Sequence, residues 1–259
     1  MENLINYYPA FLLVLTRIAS FMVTMPLFSY RTIPNRMKIG ISFFIALLIT
    51  YTIDVPTLSL DERFILLILK EATVGLMIGL AAYLIFAAIQ TAGSFIDFQM
   101  GFAIASIVDP QTGVQSPLIG QFFNIVALLL LLSTNAHHLL IDGMIHSFQF
   151  IPLDKGVLLF GNESMTAVII KSFNTMFIVA FQMALPIVGC LFLVDVALGI
   201  VARTVPQLNV FVVGLPLKIG VSFIMIFLVM GALFFVIEEL FQFMLELTNT
   251  LLRILGDFS

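Results

Sequence analysis

The sequence predicts an all-α integral membrane protein, because it is unusually apolar and its apolar runs are long. Hydrophobic residues make up 61% of the 259 residues and charged residues only 10%, whereas soluble domains average about 45–50% apolar and about 25% charged residues. A water-soluble fold has too little interior to hide so many apolar side chains. The runs show no apolar–polar alternation, so helices are the predicted spanning elements.

Other features of the composition exclude several classes of function. The chain has a single cysteine, Cys190, which rules out an internal disulfide and a cysteine-based metal site. Its net charge is −4 with no long basic run, which argues against a nucleic-acid partner. It carries no P-loop, nucleophile elbow, zinc-protease motif or dinucleotide fingerprint. We therefore expect neither an enzyme nor a bound cofactor or metal.

About six apolar segments follow one another, separated by short polar loops. They cover residues 9–28, 39–53, 65–91, 122–133, 167–202 and 210–237. The first is as long as a bilayer core of roughly 30 Å requires. The second is short for a span, and residues 93–121 are predicted to be broken.

The tail, 238–259, is predicted to be an amphipathic helix that continues the last span. Its apolar stripe needs either a partner helix or the membrane interface, and the tail's acidity favours a protein partner. The stripe consists of Leu240, Met244, Leu247, Leu251, Leu255 and Phe258.

The first break in helical patterning covers residues 104–121. Pro110, Gly113, Pro117 and Gly120 do not fit one regular helix, yet both flanks are apolar. Irregular polar backbone at membrane depth must be buried in protein or line water. The segment is therefore either an ordinary external turn or a loop that lines or closes a passage.

The second break covers residues 202–218, where Pro206 and Pro216 bracket a short polar kink. Gln207 and Asn209 lie inside it, and basic residues stand on both sides. The pattern favours a hairpin turn between two helices. An additional role in hydrogen bonds between subunits stays open for Gln207 and Asn209.

Isolated polar groups in apolar segments are a further signal. A charge in a membrane costs roughly 2.5–3.5 kcal/mol on insertion scales, so Asp97 and Asp195 are expected to be paired. Asp195 lies eight residues before Arg203, near the same helical face. An ion relay is the less favoured alternative for both carboxylates.

His138, Asp142 and His146 have a spacing that a metal site could use, but a polar segment end is the favoured interpretation.

Four blocks of sequence, in this order and spacing, resemble the FliR/SpaR/SctT family of type III secretion export-gate proteins. The resemblance covers the whole chain, and the Asp-Pro-Gln-Thr-Gly run is more similar to the flagellar branch. The blocks are residues 108–122 (VDPQTGVQSPLIGQF), 135–141 (NAHHLLI), 203–211 (RTVPQLNVF) and 214–218 (GLPLK).

The resemblance implies a subunit that joins FliP and FliQ in an export gate at the flagellar basal body. The gate would lie in the bacterial cytoplasmic (inner) membrane, with FlhB packed on its cytoplasmic side. Unfolded flagellar proteins would pass through it. It also implies helical hairpins with kinked and broken helices, with residues 1–165 built like FliP. Residues 166–259 would form a FliQ-like hairpin with the amphipathic tail.

The resemblance also assigns roles to the two breaks. The pore-closing loop would include Ile107, Val108, Asp109, Pro110, Gln111, Thr112, Gly113, Val114, Gln115, Ser116 and Pro117. Contacts with FliQ or FlhB would involve Arg203, Pro206, Gln207, Leu208, Asn209 and Phe211. Three alternatives stay open: the equivalent subunit of a virulence secretion system, a secondary transporter for a small solute that uses Asp97 and Asp195, and a purely structural scaffold.

Overall fold

Every regular element that the structure describes is an α-helix, which confirms the all-α prediction. The structure is a computed structural model, and it describes residues 2–29, 33–53, 61–102, 117–154, 163–207 and 209–256. In chain order the helices are α1 (Glu2–Thr24), α2 (Pro26–Ser29), α3 (Asn35–Thr52), α4 (Glu62–Met100), α5 (Leu118–Ser133), α6 (Ala136–Phe150), α7 (Glu163–Thr204) and α8 (Val210–Gly256).

Four of these helices are long and apolar enough to cross a membrane: α1, α4, α7 and α8. α5 and α6 pass the same test together, but they meet at an angle of 72° and so form a broken span or a re-entrant loop. The bend falls at Asn135, which has a left-handed backbone with φ of 57°. The chain is therefore a multi-pass membrane protein, as the composition predicts.

The break after the third apolar segment begins later than the sequence predicts. The pattern indicates irregular backbone from residue 93 onwards, but α4 continues to Met100 and stops only where Gly101 adopts a φ of 91°. An isolated glycine such as Gly93 costs a helix only about 1 kcal/mol. The backbone conformation of Gly101, which side chains disfavour, is what ends the helix.

The chain divides into two compact units, each assembled from separate stretches of sequence. Unit 1 comprises Met1–Ile85, Leu131–Phe173 and Phe241–Ser259. Here α1 packs against α3, with the rings of Phe11 and Phe43 edge to face at 5.3 Å. α1 also packs against α4, where a Cβ at Gly79 would lie 3.2 Å from the carbonyl oxygen of Phe21. The small residues Gly75 and Gly79 thus allow the two backbones to approach closely.

The amphipathic tail is the last part of α8, which confirms that it continues the final span. Its apolar stripe, however, is covered by this chain, so the prediction of a separate protein partner for the stripe is wrong. Met244, Leu247, Leu251 and Leu255 are buried within the chain, and a Cβ at Gly256 would lie 2.6 Å from the carbonyl oxygen of Phe150 at the end of α6. The partner helix that the stripe requires belongs to unit 1 itself. Phe258 lies outside the described residues.

Unit 2 comprises Phe86–Leu130 and Asn174–Leu240. It contains the last part of α4, most of α5, and long parts of α7 and α8. Many large apolar side chains of α7 and α8 are exposed, such as Phe192, Leu193, Phe227 and Leu228. Surfaces of this kind face lipid or other subunits. The predicted division at residue 165 separates a FliP-like part from a FliQ-like part by their similarity to other proteins. The two compact units do not test it, and it stays a prediction.

Candidate functional site

The C-terminal end of α4 carries a buried carboxylate of unit 2, directly before the segment predicted to close a pore. Asp97 lies there with only 5% of its surface exposed. Its Oδ2 accepts hydrogen bonds from the backbone N–H of Ile119 at 2.9 Å and of Gly120 at 3.3 Å. These are among the first N–H groups of α5, which have no partner within their own helix. Asp97 therefore caps α5 from a different helix, and its carboxyl group lies at the positive end of the helix dipole.

The same two helices touch backbone to backbone at a pair of glycines. A Cβ at Gly93 would lie 2.9 Å from the carbonyl carbon of Ile119, and it would lie closer still to the backbone of Gly120. A Cβ at Gly120 would lie 2.9 Å from the carbonyl oxygen of Gln90. No side chain fits at either position. The close approach brings the first turn of α5 within reach of the Asp97 carboxylate.

Asp195 of α7 is joined to two other helices of unit 2. Its Oδ1 lies 2.7 Å from Nζ of Lys218 in α8, and its Oδ2 accepts a hydrogen bond of 2.9 Å from Nε2 of Gln99 in α4. Arg203, the neighbour suggested by the helical spacing, is not its ion-pair partner in the described part of the chain. Arg203 is instead exposed in the last turn of α7. The partner of the carboxylate is thus a lysine on the adjoining helix rather than a residue of α7 itself.

The turn between α7 and α8 is the predicted hairpin turn, but the predicted break at 202–218 is too long, because α8 begins at Val210 and contains Pro216. Pro206 and Gln207 are exposed within it, and Leu208 lies outside the described residues. Oδ1 of Asn209 accepts the N–H of Phe211 at 3.1 Å and of Val212 at 3.4 Å, so this side chain caps α8. Phe211 is 83% exposed. The cap gives Asn209 a local role, whereas Phe211, in the first turn of α8, is a large apolar side chain that is exposed beside the hairpin turn.

The structure does not bring the two predicted site segments into one described site. Residues 107–116 of the predicted pore-closing loop lie outside the described residues, and Pro117 stands directly before α5. The three candidate metal ligands of α6 also fail to assemble. Nε2 of His146 lies 3.5 Å from Oδ2 of Asp142, and both side chains are exposed. No group of three metal-binding side chains occurs in the described ranges.

Sequence reasoning missed a buried ionic cluster in unit 1. Arg17 of α1 pairs through Nε with Glu71 of α4, and both side chains are fully buried. Nζ of Lys70 lies 3.0 Å from the other oxygen of Glu71. A signal exists in the sequence, because lone charges of opposite sign stand in two apolar segments. Their pairing depends on how α1 and α4 pack, which periodicity does not specify.

The remaining groups around the cluster belong to the end of α6. Arg17 donates from Nη1 to Oγ of Ser147 and from Nη2 to the carbonyl oxygen of Ile151, both at 2.9 Å. Its guanidinium carbon lies 4.1 Å from the centre of the Phe148 ring, and Nζ of Lys70 donates to the carbonyl oxygen of Pro152 at 2.6 Å. The cluster therefore joins α1, α4 and the C-terminal end of α6.

The apolar spanning helices, with charges paired between them, define a multi-pass integral membrane protein of the helical class. The model of the family "bacterial export proteins, family 1" matches residues 8–244, and the chain belongs to that family.

Curated relatives agree over nearly the whole length. The chain is 57% identical over 257 residues to the flagellar biosynthetic protein FliR of Bacillus subtilis, covering 99% of both chains. It is 30% identical to the proteins of the same name from Escherichia coli and Pectobacterium carotovorum, covering at least 96% of each chain.

Proposed function

We propose that this protein is a non-enzymatic subunit of the flagellar type III protein export gate. With FliP-like and FliQ-like subunits it would form the channel for unfolded flagellar proteins, in the cytoplasmic membrane at the flagellar basal body. An FlhB-like protein would bind the assembly from the cytoplasmic side. The observation that carries the proposal is the 57% identity, over nearly the full chain, to a relative named as a flagellar biosynthetic protein.

Two features of the helices support a role inside an assembly. Large apolar side chains of α7 and α8 are exposed, Phe227 to 82%, and a second apolar surface follows the α7–α8 turn at Phe211. Several of these side chains would lie against neighbouring subunits in a gate. The turn residues Arg203, Pro206, Gln207 and Phe211 are proposed to contact FliQ-like or FlhB-like proteins.

The segment after α4 is proposed to close the pore. Its polar, proline- and glycine-containing sequence lies between two apolar helices, and irregular backbone in that setting is tolerated where it lines a water-filled passage or is buried in protein. The described helices on either side, α4 and α5, are held together by the Asp97 cap and the glycine contact. The segment therefore connects two helices that contact each other.

Shortening the loop between Asp109 and Pro117 tests the gate. The variant is co-expressed with the FliP-like and FliQ-like subunits, and the purified complex is reconstituted into liposomes that carry a potassium gradient. A gate subunit predicts faster dissipation of the gradient than in the unaltered complex. If the shortened protein assembles normally and the liposomes stay tight, the loop does not close a pore.

The sequence similarity also separates the flagellar proposal from its alternatives. The relatives at 57% and 30% identity all bear a flagellar name, which favours the flagellar over the virulence system. A solute transporter would need Asp97 or Asp195 for its substrate. In the structure both carboxylates bind groups of the protein, as a structural role requires. We therefore expect Asp195→Asn to leave solute uptake unchanged, whereas a transporter that uses this carboxylate would lose uptake.

A further inference from the structure

A cavity of about 400 Å³ lies between the C-terminal part of α1 and α4 in unit 1, and it has an apolar wall. Three of the wall residues, Val23, Leu76 and Tyr83, are large and exposed. Apolar surface of this kind faces lipid or another molecule. The wall consists of Val23, Leu76, Met77, Leu80 and Tyr83.

A second cavity, of about 380 Å³, adjoins the first on the side of α3 and has a polar edge. Val23 and Ser29 line both cavities, so the two form one groove along α1, which we call the α1 groove. Asn35, Lys38 and Ser42 of α3 form its polar edge. Each cavity has a volume within the range of ligand sites, roughly 300–1,000 Å³.

The polar edge of the α1 groove is positively charged. Lys38 lines it with a half-buried side chain, and none of the ion pairs in the described part of the chain includes Lys38. Such a lysine lays its alkyl stem along apolar surface and keeps its ammonium group at the polar side. The first turn of α3 also carries the exposed Arg36 and contains no acidic residue. An anion at this edge would therefore meet positive charge without a competing carboxylate from that turn.

We propose that the α1 groove binds one anionic phospholipid, with its phosphate at Lys38 and an acyl chain along the apolar wall. The inference goes beyond the proposed function and does not rest on it, because it requires only that unit 1 lies in a membrane. The lipid would pack against α1, α3 and α4 together, so the stability of unit 1 would depend on the anionic lipid of the surrounding bilayer.

The place and the charge of the groove favour this occupant over others. The candidate span of α1 ends at Thr24, which lines the groove, and basic residues at the end of a span attract anionic headgroups. An apolar helix of a neighbouring subunit would cover the wall but leave the charge of Lys38 without a counterion. A zwitterionic lipid would fill the same space without supplying a net negative charge. Free phosphate would leave the apolar wall uncovered.

Photolabelling locates the lipid on the chain. The full-length protein is purified in mild detergent with the subunits that stay bound, and it is mixed with phosphatidylglycerol that carries a diazirine in one acyl chain. We expect labelled peptides from residues 19–29 and 76–83, and about fivefold weaker labelling by a phosphatidylcholine probe. Equal labelling by the two lipids would overturn the proposal. So would an unlabelled groove, which would mean that a neighbouring subunit covers it.

Substitution of Lys38 tests the recognition of charge. Lys38→Gln is expected to weaken labelling by phosphatidylglycerol about fivefold, which is the effect of one basic residue near an anionic headgroup, and Lys38→Arg should retain it. Lys171→Gln is the matched control, because it removes the same charge from an exposed position of unit 1 outside these two cavities. If Lys38→Gln is labelled like the control, or if excess inorganic phosphate abolishes labelling, the site does not select an anionic phospholipid.

Substitution of Val23 tests the place of the acyl chain. Val23→Trp fills the point where the two cavities join and is expected to weaken labelling by both lipids several-fold. Leu69→Trp adds the same bulk at an exposed position of α4 outside the two cavities and should change nothing. Unchanged labelling in Val23→Trp would contradict the proposal. The labelled peptides belong to this chain whichever subunits copurify, so failure of the lipid site and failure of the export-gate proposal are separate results.

Discussion

Replacing Glu71 by alanine is expected to destabilise unit 1 strongly, because it removes the carboxylate that two buried cations share. Arg17 and Glu71 are both fully buried, and Lys70 is nearly so. Breaking a buried pair by removing one partner costs about 3–5 kcal/mol, since the other charge is left uncompensated. That is a large part of a typical folding free energy of about 5–15 kcal/mol.

The size of this destabilisation is measured as a change in melting temperature. The detergent-solubilised complex is heated, and the fraction that stays intact is measured by gel filtration. For a chain of this size each kcal/mol shifts the melting temperature by about 2–4 °C, so Glu71→Ala is expected to melt on the order of 10 °C lower. Glu246→Ala is the matched control, because Glu246 belongs to the same unit and is exposed on α8. It should melt at the temperature of the unaltered protein.

A double substitution separates the ion pair from simple packing. Arg17→Met with Glu71→Met removes both charges of the pair, and Lys70 keeps its hydrogen bond to the carbonyl oxygen of Pro152. Replacing both partners of a buried pair by apolar groups is often close to neutral, but Lys70 still loses the carboxylate that it shares with Arg17. The double variant, which leaves one buried cation without that carboxylate instead of two, should therefore melt above Glu71→Ala and below the unaltered protein. The reasoning is refuted if Glu71→Ala melts with the control, or if the double variant is less stable than the single one.

Three further predictions use the same melting assay. Gly79→Ala should cost about 1–3 kcal/mol by overpacking α1 against α4, whereas Gly40→Ala, with open space around it, should not; equal melting would contradict the close approach. Asn209→Ala should cost about 1 kcal/mol by removing the cap of α8, and Asn209→Asp should restore it; failure of that rescue would count against the cap. Lys218→Met should cost roughly 0.5–2 kcal/mol, with Asp195→Leu relieving it in the double variant; strict additivity would mean the two side chains do not interact.

Much of the fold could be predicted because apolar length is a direct signal. Residues 65–91, 167–202 and 210–237 all lie inside long helices of the structure, since a bilayer requires runs of this length with every backbone group satisfied. The predicted end of α4 is wrong because glycine and polar residues near Gly93 resemble a break. Whether a helix stops there depends on packing against α5, which local sequence does not record.

The contacts of the candidate site were less predictable. The cost of a charge among apolar helices predicts that Asp97 is paired, but its partners are backbone N–H groups of α5, which no sequence pattern indicates. Asp195 shows the same limit: spacing points to Arg203 on its own helix, and Lys218 of α8 is the residue in contact. Spacing reports neighbours along one helix, whereas these pairs join different helices.

Co-purification tests the central claim most directly. The tagged protein is co-expressed with its genomic neighbours, extracted in mild detergent, and the bound chains are identified by mass spectrometry while the mass of the particle is measured. The proposal predicts a stable heteromeric complex several times larger than the 28.7 kDa chain, containing FliP-like and FliQ-like subunits. A monomer or homodimer that is stable by itself and binds neither of them would contradict it.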